Sequence, residues 1–251
     1  MVIVKVPGAY LPFKEVRAVL GHVVLVEQKG GKPRAEVERV RGLTLLRLEV
    51  PLPPGSGEGT VRRRLGRGAR LLRREGVRRV LVEEGFPWWD LLREWELLPV
   101  DPAPLCEALA SALALAALGR RGIAPGRATV ALRGNRVSRP FFQAAMELAP
   151  LVRTLTVVSP NGGEALAAYL RREYGVPVLE EGAGPGPDLT LEFSISKGGE
   201  EERLVLHGSP NLQGLRLEPP EGAWPPGFET LPLAAALWEV GALSLNDMKL
   251  S

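Results

Sequence analysis

The sequence predicts an α/β fold in which a mostly parallel sheet has helices on both faces, preceded by a small β-rich unit. Three observations predict it. From residue 60 onward, short apolar runs alternate with longer runs whose apolar residues recur at helical spacing. The connections between these runs are short, which favours right-handed crossovers between parallel strands. Residues 1–50, by contrast, hold mainly strand patterns.

The first fifty residues form the predicted β-rich unit. Apolar and β-branched runs predict strands at residues 2–6, 23–27 and 43–50. Residues 12–20 could form a short helix that Gly21 terminates. Residues 51–59, with the sequence PLPPGSGEG, have the composition of a linker. We therefore predict a domain boundary there and a second domain over residues 60–251.

The second domain is predicted to alternate helices and strands and to end in a packing helix at residues 231–243. The apolar stripe of its first helix, which Gly76 ends, consists of Val61, Leu65, Ala69 and Leu72. Further helices are predicted at residues 87–95, 102–119, 140–148 and 163–174. Strands are predicted at residues 77–82, 128–132, 154–158 and 189–193. We expect these four strands to share one sheet, because apolar strands separated by helices are typical of parallel sheets.

Composition and charge restrict the class of protein. The 251 residues are 45% hydrophobic and 24% charged, as in ordinary globular proteins. A formal net charge of only +3 argues against nucleic acid as an obligatory partner. The lone cysteine, Cys106, excludes an intrachain disulfide. It lies in an apolar helical run, where an inert buried thiol is expected.

The sequence predicts neither a membrane segment nor an exported protein. The N-terminus, MVIVKVPGAY, lacks the basic and apolar regions of a signal peptide. The longest apolar stretch, residues 105–118, is too short for a membrane span and contains Glu107 and Ser111. We therefore expect a cytoplasmic protein in which this stretch is a buried helix.

Residues that directly follow the predicted strands are the candidates for chemistry, because open parallel sheets bind ligands beyond the carboxyl ends of their strands. These residues are Glu83, Glu84, Asp101, Gly134, Asn135, Arg136, Ser159, Pro160, Asn161, Ser194, His207 and Ser209. Few of these residues can act as an acid or a base, and those that can are not arranged in a recognisable catalytic pattern. No catalytic residue is therefore predicted, and whether the chain is an enzyme stays open.

The turn between residues 133 and 139 is the strongest binding candidate. It joins a strand to a helix, where free backbone N–H groups and the helix dipole favour an anion. Arg136 and Arg139 could form bidentate contacts with a phosphate, with Ser138 as a further donor. The candidate binding residues of the turn are Gly134, Asn135, Arg136, Ser138 and Arg139. In the alternative interpretation, Asn135 forms the turn, Ser138 caps the helix and both arginines are solvated.

Residues 128–178 contain the strand TLTVVS at residues 154–159, followed by the helical segment EALA at residues 164–167. This region resembles the NAD(P)-binding Rossmann domains of the shikimate dehydrogenase and glutamyl-tRNA reductase type. The resemblance implies a Rossmann-like sheet and a dinucleotide site. It also implies NADP rather than NAD, because Ser159 stands where NAD-specific domains have an acidic residue. Gly134 is the single glycine of the turn that would face the pyrophosphate.

Metal binding is not predicted. His22 and His207 are too isolated for a zinc site. Glu83 and Glu84 could supply a base or a hard metal ligand, but such a pair more often marks a solvated strand end.

The segment after the linker contains nine arginines, at positions 62, 63, 64, 67, 70, 73, 74, 78 and 79. They could lie against phosphate groups, but no aromatic residue is interleaved with them to stack on bases. The favoured interpretation is a solvated helix face. The aromatic residues cluster further along, at Phe86, Trp88, Trp89 and Trp95, and predict a core or an interface.

Two hypotheses for function follow. In the first, the chain binds a phosphorylated or dinucleotide ligand at the carboxyl edge of the sheet. In the second, it is a non-catalytic assembly or regulatory protein with the same fold, and a homo-oligomer is compatible with either.

Overall fold

The structure is a computed structural model that describes residues 20–179, 186–195 and 202–251. Two compact units make up the described chain. The first contains residues 20–100 and 222–244, and the second contains residues 101–221 and 245–251 apart from the two gaps. The strand predicted at residues 2–6 lies outside the described residues, as does all but the last residue of the helix predicted at 12–20.

The first unit is built on a five-stranded sheet with the order β2-β3-β1-β4-β5. The strands are β1 (Leu20–Glu27), β2 (Arg34–Val40), β3 (Leu43–Leu52), β4 (Arg79–Leu81) and β5 (Leu98–Pro99). β2 and β3 form an antiparallel hairpin, whereas the other neighbouring pairs are parallel. β1 and β3 correspond to the strands predicted at residues 23–27 and 43–50, whereas β2 was not predicted. Gly21 lies within β1 and does not end a helix, and its lack of a side chain lets the strand lie close to Val77 and Val80.

The helices of the first unit are α1 (Glu58–Arg74), α2 (Trp89–Arg93) and α7 (Thr230–Glu239). The predicted apolar stripe of α1 is buried, because Val61, Leu65, Ala69 and Leu72 pack into a core with the sheet. α7 returns to this unit and is buried along most of its length, as expected for a packing helix.

The observed division of the chain differs from the predicted one. Residues 53–57 connect β3 to α1 within the first unit, and β1 pairs directly with β4 on the far side of this connection. The strand predicted at residues 77–82 therefore belongs to the first sheet and not to the sheet of the other three. The physical reason is that β1 is buried at its start and needs hydrogen-bonding partners along both edges, which β3 and β4 supply. Proline and glycine suit such a crossover as well as they suit a linker.

The second unit is built on a fully parallel five-stranded sheet with the order β10-β9-β6-β7-β8. Its strands are β6 (Thr129–Arg133), β7 (Thr154–Val158), β8 (Val178–Leu179), β9 (Leu189–Glu192) and β10 (Arg203–Val205). Helices α3 (Ala103–Ala108), α4 (Ala110–Arg120), α5 (Arg139–Leu148) and α6 (Gly163–Tyr174) flank it, and β11 (Leu217–Glu218) pairs with β12 (Lys249–Leu250). The predicted α/β fold with a parallel sheet is thus confirmed.

The apolar stretch at residues 105–118 belongs to two helices instead of the single one predicted. The break is at Leu109, whose backbone angles (φ −93°, ψ 6°) leave the helical range. Leu105, Leu109 and Leu113 are buried, as is Cys106. No helix of the described ranges has both the length and the apolar character to cross a membrane.

The strand order of the second sheet determines where its loops meet. From β6 the chain moves outward to β7 and β8, and then returns to place β9 on the other side of β6. The carboxyl ends of β6 and β9 therefore border a topological switch point, the place where open α/β sheets form a ligand crevice.

Candidate functional site

Hydrogen bonds join the loops that follow β6, β7 and β9. The side chain of Asn161 donates to the carbonyl of Asn135 at 2.8 Å, and the backbone N–H of Asn135 donates to Ser194 Oγ at 2.7 Å. The hydroxyl of Ser159 donates to the carbonyl of Asn161 at 3.2 Å. We call these four residues, Asn135, Ser159, Asn161 and Ser194, the strand-end patch.

The strand-end patch contains two residues that the sequence predicts to bind a ligand, Asn135 and Ser159. It also contains two residues that the sequence marks only by their position after a strand, Asn161 and Ser194. Their part in the patch arises because β6 lies between β7 and β9, which no local pattern reveals. Their position after apolar strands is the one feature of the sequence that marks them.

The backbone N–H groups of the turn after β6 are largely engaged within the protein. The N–H of Gly134 donates to the carbonyl of Val158, and the N–H of Val137 donates to the carbonyl of Asn161, both at 3.0 Å. With the N–H of Asn135 bonded to Ser194, three N–H groups of the turn point at protein acceptors. A ligand at this turn would therefore depend on side chains more than on these three groups.

Ser138 is the N-cap of α5. Its backbone is extended, and its hydroxyl accepts a hydrogen bond from the N–H of Phe141 at 3.4 Å. This is the capping role of the alternative interpretation, and it satisfies one of the free donors of the first helical turn. Pro140 in the same turn has no N–H to offer.

Gly134 allows α5 to pack closely on the end of β6. A Cβ at this position would lie 3.3 Å from the ring of Phe141 and 3.5 Å from Cβ of Phe193. The two rings contact each other with centroids 5.0 Å apart, and both side chains are buried. Helix–strand packing thus accounts for the single glycine of the turn, independently of any ligand.

Two arginines follow Asn135 in the chain, Arg136 in the turn and Arg139 at the start of α5. Arg136 and Arg139 are exposed, and neither side chain forms an ion pair or hydrogen bond with any residue in the described ranges. Arg136 also forms a single parallel bridge with Asn161, which holds its backbone beside the patch. Arg139 begins α5, at the positive end of the helix dipole.

Glu192 is a buried charge at the same edge that sequence analysis did not single out. It ends β9, is only 4% exposed, and its carboxylate oxygens lie 3.4 and 3.5 Å from Nη1 of Arg203. Burial of a carboxylate requires a partner, so this contact accounts for its position inside the sheet. The pattern of apolar residues in the strand gave no indication of it.

The other candidates lie apart from this patch. Asp101 Oδ1 accepts a hydrogen bond at 2.9 Å from the N–H of Ala103, the first residue of α3, although the N-cap position itself is Pro102. Glu83 and Glu84 are exposed, and burial together with the charge of Glu84 raises the pKa of Glu229. His22 is buried, with Nδ1 2.7 Å from Glu38 and Nε2 3.0 Å from the carbonyl of Gly227. Across the described ranges, histidine, cysteine and carboxylate groups form no cluster suited to a metal.

No protein-family model and no curated protein matches the sequence. Among solved structures, the chain is similar to the L-tryptophan dehydrogenase from Nostoc punctiforme, with 18% sequence identity and a TM-score of 0.30. The match covers 60% of this chain, and it spans 45% of the length of the dehydrogenase.

Proposed function

We propose that the chain binds a small phosphorylated ligand at the carboxyl edge of the second sheet. The observation that supports this most is the pair of exposed arginines, Arg136 and Arg139, beside the strand-end patch. The location agrees with the general rule that open α/β sheets bind ligands at a topological switch point.

The chemistry of the patch suits a phosphate oxygen. Guanidinium groups form bidentate, charge-assisted hydrogen bonds with phosphate, and the start of α5 adds the favourable end of its dipole. Hydroxyl and amide groups of Ser159, Asn161 and Ser194 offer further donors and acceptors. One exposed arginine contributes little affinity by itself, so the proposal depends on both arginines acting together.

NADP is one ligand within this class. The resemblance in the sequence implies it, and Ser159 presents no carboxylate that would repel a 2′-phosphate at the end of β7. Because Gly134 is explained by packing against Phe141, the proposal does not require a glycine-rich pyrophosphate turn. Sugar phosphates and mononucleotides use the same phosphate chemistry, and the experiment below separates them.

A non-catalytic assembly or regulatory role is the second candidate. The residues that follow β6, β7 and β9 favour it. In their described parts, residues 134–138, 159–162 and 193–195, these three loops contain no histidine, cysteine, lysine, aspartate or glutamate. Without such groups a proton cannot readily be moved between the protein and a substrate here. We therefore propose binding at this edge and assign no reaction to it.

The test is a ligand series of NADP, NAD, ATP, glucose 6-phosphate and inorganic phosphate, measured by thermal shift and then by calorimetry. We expect the double variant Arg136→Ala/Arg139→Ala to bind the best of these about tenfold more weakly or worse. Hydrogen bonds to charged groups contribute about 1.5–3 kcal/mol each, and every 1.4 kcal/mol corresponds to about tenfold in affinity.

The matched control is Arg127→Ala/Arg153→Ala, which removes two exposed arginines near the amino ends of β6 and β7. It should bind as the unaltered protein does, with an unchanged far-UV spectrum for both variants. Equal affinity of the unaltered protein and the Arg136/Arg139 variant would favour the assembly role. Sedimentation velocity would then be the next measurement.

A further inference from the structure

Four arginines form a straight row on the solvent side of α1. Arg63, Arg67, Arg70 and Arg74 are separated by four, three and four residues, and all four are exposed. This spacing places them on one face of the helix, opposite the stripe that is buried in the core. At about 1.5 Å per residue the row is about 16 Å long. We call it the arginine row.

Four of the five other arginines of this segment pair with carboxylates. Arg62 pairs with Glu94, Arg73 and Arg78 pair with Glu96, and Arg79 pairs with Glu239. Arg64 donates to the carbonyls of Gly31 and Pro51. In contrast, no side chain of the arginine row pairs with a carboxylate in the described ranges. Positive charge is therefore concentrated on this one face, although the net charge of the chain is only +3.

An aromatic ring lies beside the row. Trp95 is half-buried, and its ring packs against α1 where a Cβ at Gly66 would lie 3.1 Å from the indole Nε1. The guanidinium carbon of Arg70 is 5.0 Å from the centre of the Trp95 ring. The ring also lines an open cleft of about 410 Å³, together with Arg70, Arg73, Arg74, Glu94 and Glu96.

We infer that the arginine row and Trp95 bind single-stranded nucleic acid. The row would follow the phosphate backbone, since it is too long for one phosphate group and has no counter-charge of its own. Trp95 would stack on a base, which is the usual arrangement of aromatic and basic side chains in proteins that bind single strands. The two carboxylates of the cleft oppose this little, because Glu94 and Glu96 already pair with other arginines.

This surface belongs to the first unit and uses no residue of the strand-end patch, so the inference does not depend on the proposed function. The sequence alone favoured a solvated face for this helix, because no aromatic residue is interleaved with its arginines. α1 contains no aromatic residue, but Trp95, which follows α2, places its ring against this helix.

The test is fluorescence anisotropy with a labelled oligothymidine over a range of salt concentrations. Four arginine–phosphate contacts predict a slope of about −2.8 for log K against log salt, or about 50-fold weaker binding between about 50 and 200 mM. The variant R63Q/R67Q/R74Q should retain a slope of only about −0.7, or about threefold over the same range. These three side chains are exposed and pair with no residue of the described ranges, so their replacement should leave the fold intact.

The control variant R127Q/R153Q/R172Q removes the same charge from exposed positions of the second unit. It should keep the full slope. Oligothymidine should also quench the tryptophan fluorescence of the control, and W95F should reduce that quenching. Any one of four results would overturn the inference: no binding at about 50 mM salt, an unchanged slope in R63Q/R67Q/R74Q, equal affinity for a duplex, or full quenching in W95F.

Discussion

Replacing Gly68 by alanine is expected to destabilise the first unit, although alanine is the better helix former. Gly68 lies in the middle of α1, where the helix crosses β3. A Cβ at this position would lie 2.7 Å from Cδ2 of Leu48, 3.1 Å from Cδ1 and 3.3 Å from Cγ. Leu48 has no exposed area, so its side chain cannot swing into solvent to make room.

The magnitude follows from two opposing effects. Alanine gains about 1 kcal/mol over glycine inside a helix, whereas overpacking a filled core costs about 1–3 kcal/mol. The free energy of unfolding should therefore fall by up to about 2 kcal/mol. The control is Gly59→Ala in the same helix, where a Cβ would have no atom within 4 Å. It should be stabilising by up to about 1 kcal/mol.

Urea unfolding followed by far-UV circular dichroism measures both changes. A second variant, Leu48→Val, tests the cause. If the clash is with Leu48, this change should cost less in the Gly68→Ala background than alone, so a double-mutant cycle shows favourable coupling. The reasoning would be refuted if Gly68→Ala stabilised the protein as much as Gly59→Ala does.

Three further predictions concern groups that are buried or half-buried. Burial raises the pKa of Cys106 from 9.0 to about 12, so a thiol reagent at pH 8 should label the native protein far more slowly than the unfolded protein. This shift stabilises the fold below pH 9.0, and the stabilisation is lost as the pH rises towards about 12. Leu109→Ala should lower the free energy of unfolding by about 2–5 kcal/mol, measured by urea unfolding, and a smaller loss would show that the site collapses around the deletion. Because burial and the charge of Glu84 raise the pKa of Glu229, its ionised form destabilises the protein above the ordinary carboxyl range. Glu229→Gln should therefore raise the melting temperature at pH 7 but not at pH 4, and a gain of equal size at both values would exclude this cause.

Local features of the candidate site could be predicted from the sequence because they depend on neighbouring residues. Ser138 is a small hydroxyl residue before an apolar helix, which favours an N-cap, and the structure has this cap. The engagement of the turn's N–H groups could not be predicted in this way. Their acceptors lie on the loops after β7 and β9, at Asn161 and Ser194, and depend on strand order.

The position of Trp95 beside the arginine-rich helix also could not be predicted from the sequence, because it depends on how distant segments pack. The sequence shows which face of α1 is charged, since arginines at this spacing share a face whatever surrounds them. It does not show that the ring of Trp95, 29 residues after Gly66, packs against this glycine. That contact requires the chain to return against the helix after β4.

The sequence by itself determined the fold class, the positions of most strands and helices, and which face of α1 is buried. These follow from hydrophobic periodicity and turn chemistry, which act within a few residues. Only the tertiary structure decided that the units divide at Val100 instead of at residues 51–59, and that the strand near residue 80 pairs with β1. The reason is that a strand's edge can pair with any compatible edge, so the choice of partner depends on the packing of the whole core and not on the strand's own residues.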